Sequence, residues 1–140
     1  MSTYAVTDNA TNIAAGGKAY VQEAILDFST TNLGINETID VFKIPANTLV
    51  VTAGIQLVTA SGNAGTLDLG DSTTADVFVA DIDADSATAG LSSFASAPVA
   101  YTTADTIIMK GITAAMDGKV RVVAVMAPLA PSTAPATSFA

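Results

Sequence analysis

Histidine, cysteine and tryptophan are absent from this 140-residue chain. Without His or Cys there is no Ser-His-Asp or Cys-His nucleophile, no ordinary zinc site and no disulfide. Haem and iron–sulfur clusters lose their usual ligands as well. Acid–base chemistry falls to Asp, Glu, Lys and Tyr, and the only glutamates are Glu23 and Glu37. Basic side chains are scarce, five against thirteen acidic ones, for a net charge of −8. That balance repels phosphate backbones, so no nucleic-acid partner is expected. It also keeps an apolar chain in solution. Aromatic residues make up 6% of the chain, so the core must be built from small aliphatic side chains.

Long hydrophobic runs are missing too. The longest, Val120 to Ala130, is interrupted by Arg121 and Pro128, and a membrane helix needs roughly 18–20 apolar residues. No membrane association is expected. The first residues, Met1 to Asp8, lack the basic and apolar regions of a secretory signal. Synthesis in the cytoplasm follows as the expectation.

What is present fits one domain, because domains usually run to roughly 100–150 residues. Residues 1–17 are small and polar and end in Ala14-Ala15-Gly16-Gly17; they read as an N-terminal arm. Residues 128–140 hold Pro128, Pro131 and Pro135 and read as an extended C-terminal tail. Residues 18–127 read as the folded body.

The body reads as β throughout. Tyr20 to Phe28, Glu37 to Ile44, Leu49 to Val58, Gly65 to Gly70, Asp105 to Ile112 and Lys119 to Met126 carry the period-two or β-branched signature of strands. Ala97 to Thr102 is a weaker strand. Thr74 to Ala84 reads as strand rather than helix because Val77 and Val79 are β-branched. Residues 83–97 then form a long connection. Ser61-Gly62-Asn63 predicts a hairpin between 49–60 and 65–70, and Asp117-Gly118 predicts a second between 105–112 and 119–126. Gly54 marks a bulge or a close backbone neighbour. About seven strands at this spacing predict a single all-β sandwich of jelly-roll type. Its expected core is Leu49, Val51, Ile55, Leu57, Leu67, Leu69, Ile107, Met109, Val120 and Val122.

Few residues offer chemistry. Asp81, Asp83 and Asp85 open like an EF-hand loop, but Ser86 stands where Gly is needed and Ser92 where Glu is needed. They are weak metal candidates, and a solvated acidic loop is the preferred reading. Asn9-Ala10-Thr11 and Asn36-Glu37-Thr38 match the glycosylation acceptor pattern, which stays silent without secretion. Gly16-Gly17-Lys18 echoes a phosphate loop without the upstream glycine. Asp68, Asp71 and Asp76 are the candidates for a glycosidase-like acid and base, in a chain with few aromatic sugar platforms. No enzyme and no cofactor are expected. The arms hold apolar anchors instead: Tyr4, Val6, Ile13, Leu129 and Phe139. Arms that cannot fold locally are often ordered by a neighbour.

From Ile44-Pro45-Ala46-Asn47-Thr48-Leu49 the chain resembles small virion proteins of tailed phages, especially phages of cyanobacteria and marine bacteria. Gly65-Thr66-Leu67-Asp68-Leu69-Gly70, Ala104-Asp105-Thr106-Ile107 and Lys119 to Met126 carry the resemblance onward, over roughly residues 20–127. It implies a capsid decoration or cement protein, bound as a trimer on the virion surface to a shell of the major capsid protein. It implies no catalytic residues. The alternative is a receptor- or carbohydrate-binding β-sandwich of a tail or fibre, which low aromatic content disfavours.

Overall fold

The computed structural model describes residues 18–85 and 92–129. Nine strands run through them: β1 (Tyr20–Asp27), β2 (Thr38–Ile44), β3 (Thr48–Thr59), β4 (Thr66–Gly70), β5 (Val79–Asp83), β6 (Ser92–Phe94), β7 (Val99–Tyr101), β8 (Asp105–Ile112) and β9 (Lys119–Pro128). They form two antiparallel sheets. The first runs β1-β9-β3-β6, with β7 also on β3; the second runs β2-β8-β4-β5. β6 lies against Gly54–Gln56 and β7 against Thr48–Val50, so the two act as one interrupted strand along β3. Pro98, which has no N–H to donate, stands in the interruption. Apart from β4 to β5, and from β6 to β7, every connection carries the chain from one sheet to the other. This is the order of a jelly roll, as the sequence led us to expect.

Side chains from both inner faces fill the space between the sheets. Val50, Ala53, Ile55, Val120, Val122, Ala124 and Met126 come from the first sheet; Leu67, Leu69, Ile107 and Met109 come from the second. All are essentially inaccessible to water. Eight of the ten expected core residues are buried. The two exceptions are Leu49, half-buried, and Val51, exposed. A bulge explains both: the register of β3 against β9 shifts between Val50 and Thr52. One extra residue reverses which face follows, so Thr48 and Val50 point inward before it and Ala53, Ile55 and Leu57 after it.

Neither expected hairpin forms. β3 pairs with β9, β6 and β7, while β4 pairs with β5 and β8. β8 pairs with β2 and β4, while β9 pairs with β1 and β3. The turn residues do reverse the chain, but each turn delivers it to the opposite sheet. The two crossings are pinned together. The Asp117 carboxylate accepts the Gly62 N–H at 2.6 Å and the Ser61 hydroxyl at 2.8 Å, and the Asn63 amide donates to the Ala115 carbonyl at 3.0 Å. The Gly62 N–H, followed by the Ser61 hydroxyl, holds the Asp117 carboxyl below its ordinary value. A depressed folded value stabilises the fold above the ordinary 3.8 and loses that contribution as pH falls through the lowered value. We therefore expect Asp117→Asn to lower the thermal midpoint at neutral pH. Its gap to wild type should narrow once the pH drops below 3.8, which melting curves across an acid series will check.

Candidate interaction surface

Both chain ends leave the sandwich at one place. Tyr20, the first residue of β1, lies opposite Met126 near the end of β9, and its hydroxyl donates to the Met126 sulfur at 3.5 Å. β9 continues through Pro128, opposite Thr48, and the Leu129 N–H donates to the Asn47 carbonyl at 2.8 Å. Ordered pairing thus runs slightly into the segment read as tail. Leu129 keeps its side chain 40% exposed. The other anchor candidates, Tyr4, Val6, Ile13 and Phe139, lie outside the described residues.

The outer face of the first sheet is unusually apolar. β1 alternates so that Tyr20, Gln22, Ala24 and Leu26 face the sandwich while Val21 and Ile25 face out with Glu23 and Asp27, the first two 65% and 52% exposed. The solvent-facing row thus mixes two large apolar side chains with two acids, Glu23 and Asp27. In register across the sheet, Val21 lies beside Val125, and Glu23 beside Val123. Val123 lies in turn beside Gly54, and Gly54 beside Phe94. The Phe94 ring covers Gly54 so closely that a Cβ there would sit 2.3 Å from it, yet the ring remains 45% exposed. The close backbone neighbour expected at Gly54 is the Ser93 carbonyl oxygen, 2.6 Å from that Cβ position. Four charges border the patch as two exposed ion pairs, Arg121 with Glu23 at 3.4 Å and Lys119 with Asp27 at 3.8 Å. Arg121 also donates to the Gln56 side-chain oxygen at 3.2 Å.

The second sheet presents a different surface. Thr38, Lys110 and Asp68 form one row, and Asp40 and Ile108 another. Lys43 stands near one end and Asp83 near the other. Burial raises the Asp68 carboxyl above its ordinary value, and the nearby Asp81 and Asp76 raise it further. A groove of about 400 Å³ at the end of β2 and β8 is lined by Lys43, Ile44, Pro45, Ala104, Asp105 and Thr106. Its one carboxylate, on Asp105, already accepts the Ser72 and Thr106 N–H groups.

The metal candidates lie along β5 and at its end. The Asp81 N–H donates to Asp68 at 2.8 Å, and Asp83 accepts the Asp85 N–H at 3.1 Å. Among the described residues no three acidic side chains are grouped to hold an ion. Of the acid–base candidates, Asp71 is buried: it accepts the Tyr101 hydroxyl at 2.7 Å and the Thr73 and Thr74 N–H groups at 2.9 and 2.7 Å. That is the environment of a structural carboxylate. Asn36 of the second glycosylation pattern sits in a turn at φ 63°.

No family model matches the chain, and no curated protein is similar to it in sequence. Solved structures are similar in shape. A chain of the cyanophage Pam1 capsid asymmetric unit superposes with a TM-score of 0.65 at 20% identity, over 81% of this chain and 86% of that one. The fold is one found in phage capsids. A chain of the acid-stable capsid of Helicobacter pylori bacteriophage KHP30 matches with a TM-score of 0.62 at 14% identity, over 80% of this chain and 88% of that one. A chain of the capsid of Ralstonia phage GP4 matches at 0.59 and 14%, over 83% and 88%. These structures agree with the group that the sequence resembles. Since the alignments span most of both partners, the matched chains are close to this one in length.

Val21, Ile25 and Phe94 lie on the body, apart from the arm residues expected from the sequence to make contact.

Proposed function

We propose that this chain is a structural virion protein of a tailed phage, a decoration or cement protein. It binds the outside of the capsid and stabilises the lattice of the major capsid protein. The observation that carries this reading is the match, over 80–83% of this chain, to chains of similar length in three phage capsids. Two further features support it. The arms start side by side at one end of the first sheet, and the outer face of that sheet exposes Val21, Ile25 and Phe94. Binding only the assembled shell stabilises that shell by mass action. No catalysis is assigned to the protein, and it works as a homotrimer.

In this reading the arms carry the attachment. Each large anchor buried in a groove contributes about 1.5–3 kcal/mol, against about 1–2 kcal/mol for each residue ordered. Several anchors must therefore dock together, with prolines already restricting the free tail. The test is to delete residues 1–17 or 130–140 separately, keeping the bonded Leu129, and to measure melting and binding to capsids stripped of the protein. Nearly unchanged melting with lost binding for at least one deletion is the expected result. If both truncated forms bind like the full chain, the arms are not the attachment. The receptor-binding alternative predicts a different outcome: virions lacking the protein keep a stable shell and fail to adsorb.

A further inference from the structure

We infer that the outer face of the β1-β9-β3-β6 sheet is where copies of this chain meet, with β1 of one copy against β9 of the next. The face exposes Val21, Ile25 and Phe94, which no contact within the described residues covers. β1 turns its valine and isoleucine outward although Tyr20, Gln22, Ala24 and Leu26 already fill its inward places. Exposed apolar patches of this kind mark association surfaces.

Charge selects a second copy as the occupant. Two chains of net charge −8 repel each other over most of their surfaces. The outer face of the second sheet sets Asp40, Asp68 and Asp83 against Lys43 and Lys110. The first sheet's face is neutral, with Glu23 and Asp27 balanced by Lys119 and Arg121. The balance is also spatially ordered, because both acids stand on β1 and both bases on β9. Setting β1 of one copy on β9 of the next places an acidic stripe on a basic one and valine on valine. With β1 and β9 of each copy meeting different neighbours the contact is heterologous, and a threefold rotation between copies closes it into a ring of three. The existing ion pairs are exposed, and exposed pairs hold their geometry weakly. They can therefore exchange partners across the contact with little loss.

This deepens the trimer part of the reading above and is tested without capsids. The full chain should sediment as a trimer, and Ile25→Asp should weaken association about tenfold or more. Thr38→Asp, on the outer face of the other sheet, should leave association unchanged. Circular dichroism checks that each variant folds. Because the chain has no cysteine, introduced thiols report cleanly. Oxidising a mixture of Ile25→Cys and Val123→Cys copies should join unlike copies, whereas a mixture of Thr38→Cys and Ile108→Cys copies should not. This second measurement decides the matter even if Ile25→Asp fails to fold. A monomeric wild type, a trimer indifferent to Ile25→Asp, or the absence of the 25–123 cross-link overturns the assignment. So does a monomer whose Ile25→Asp variant loses capsid binding, which would place the shell on this face. A trimer that uses another face but still binds capsids sinks this inference and leaves the cement reading standing.

Discussion

Gly70→Ala is expected to melt about 10 °C below wild type, from a loss near 3 kcal/mol. Gly70 ends β4, where the chain folds back over it. A Cβ there would lie 2.1 Å from the Thr74 carbonyl oxygen and 2.2 Å from the Ala75 carbonyl carbon. Both obstacles are backbone, so no side chain can swing aside to make room. The turn itself is tied down, because the Asp71 N–H donates to the Thr74 carbonyl at 2.9 Å and the Asp71 carboxylate accepts the Thr73 and Thr74 N–H groups. Admitting one methyl group therefore means displacing the turn or the strand end, and with it the pairing of Gly70 with Ile108. Urea and thermal unfolding of the folded variant measure the loss. A midpoint within a degree or two of wild type would show that the turn yields freely.

Tyr101→Phe is expected to cost about 1–3 kcal/mol, the usual penalty for leaving a buried acceptor without its donor. Tyr101 lies on β7 in the first sheet, and its hydroxyl reaches Asp71 in the turn after β4 of the second. The bond is therefore a tie between the sheets near the open end of the interrupted strand. Burial pushes the Tyr101 phenol well above its ordinary value of 10.0, and the Asp71 carboxylate pushes it further. A raised folded value means that the bond stabilises the fold below 10.0 and that its contribution declines as pH climbs above it. The difference in stability between wild type and Tyr101→Phe should stay level through neutral pH and shrink above 10.0. A double-mutant cycle with Asp71→Asn separates the pair from general packing. Near-zero coupling would remove the tie from the account.

Local patterns made the strands legible. Alternation marked Leu67 and Leu69 as inward and Thr66 and Asp68 as outward, and all four are so placed. β-Branched residues favoured strand over helix for 74–84, and β5 occupies the second half of that segment. The missing His and Cys narrowed the candidate chemistry through composition alone. The resemblance pointed to phage virions, and the shape comparison agrees.

Other features were settled only by partners distant in sequence. Turn chemistry reverses a chain in the same way whether the next strand pairs with the last or crosses to the facing sheet, so Ser61-Gly62-Asn63 and Asp117-Gly118 looked like hairpins. The bulge at Val51 leaves no mark in a run of Leu, Val, Val and Thr, because it is a mismatch in length between β3 and β9. Which side of β1 faces the sandwich is equally silent: Val21 and Ile25 on one side compete with Tyr20 and Leu26 on the other, and packing over the facing sheet decides. By itself the sequence determined that this chain is a β-protein without histidine or cysteine chemistry, because period and composition are local properties. The tertiary structure alone decided the strand order and which apolar residues remain in water, because register and sheet packing are agreements between segments far apart in the chain.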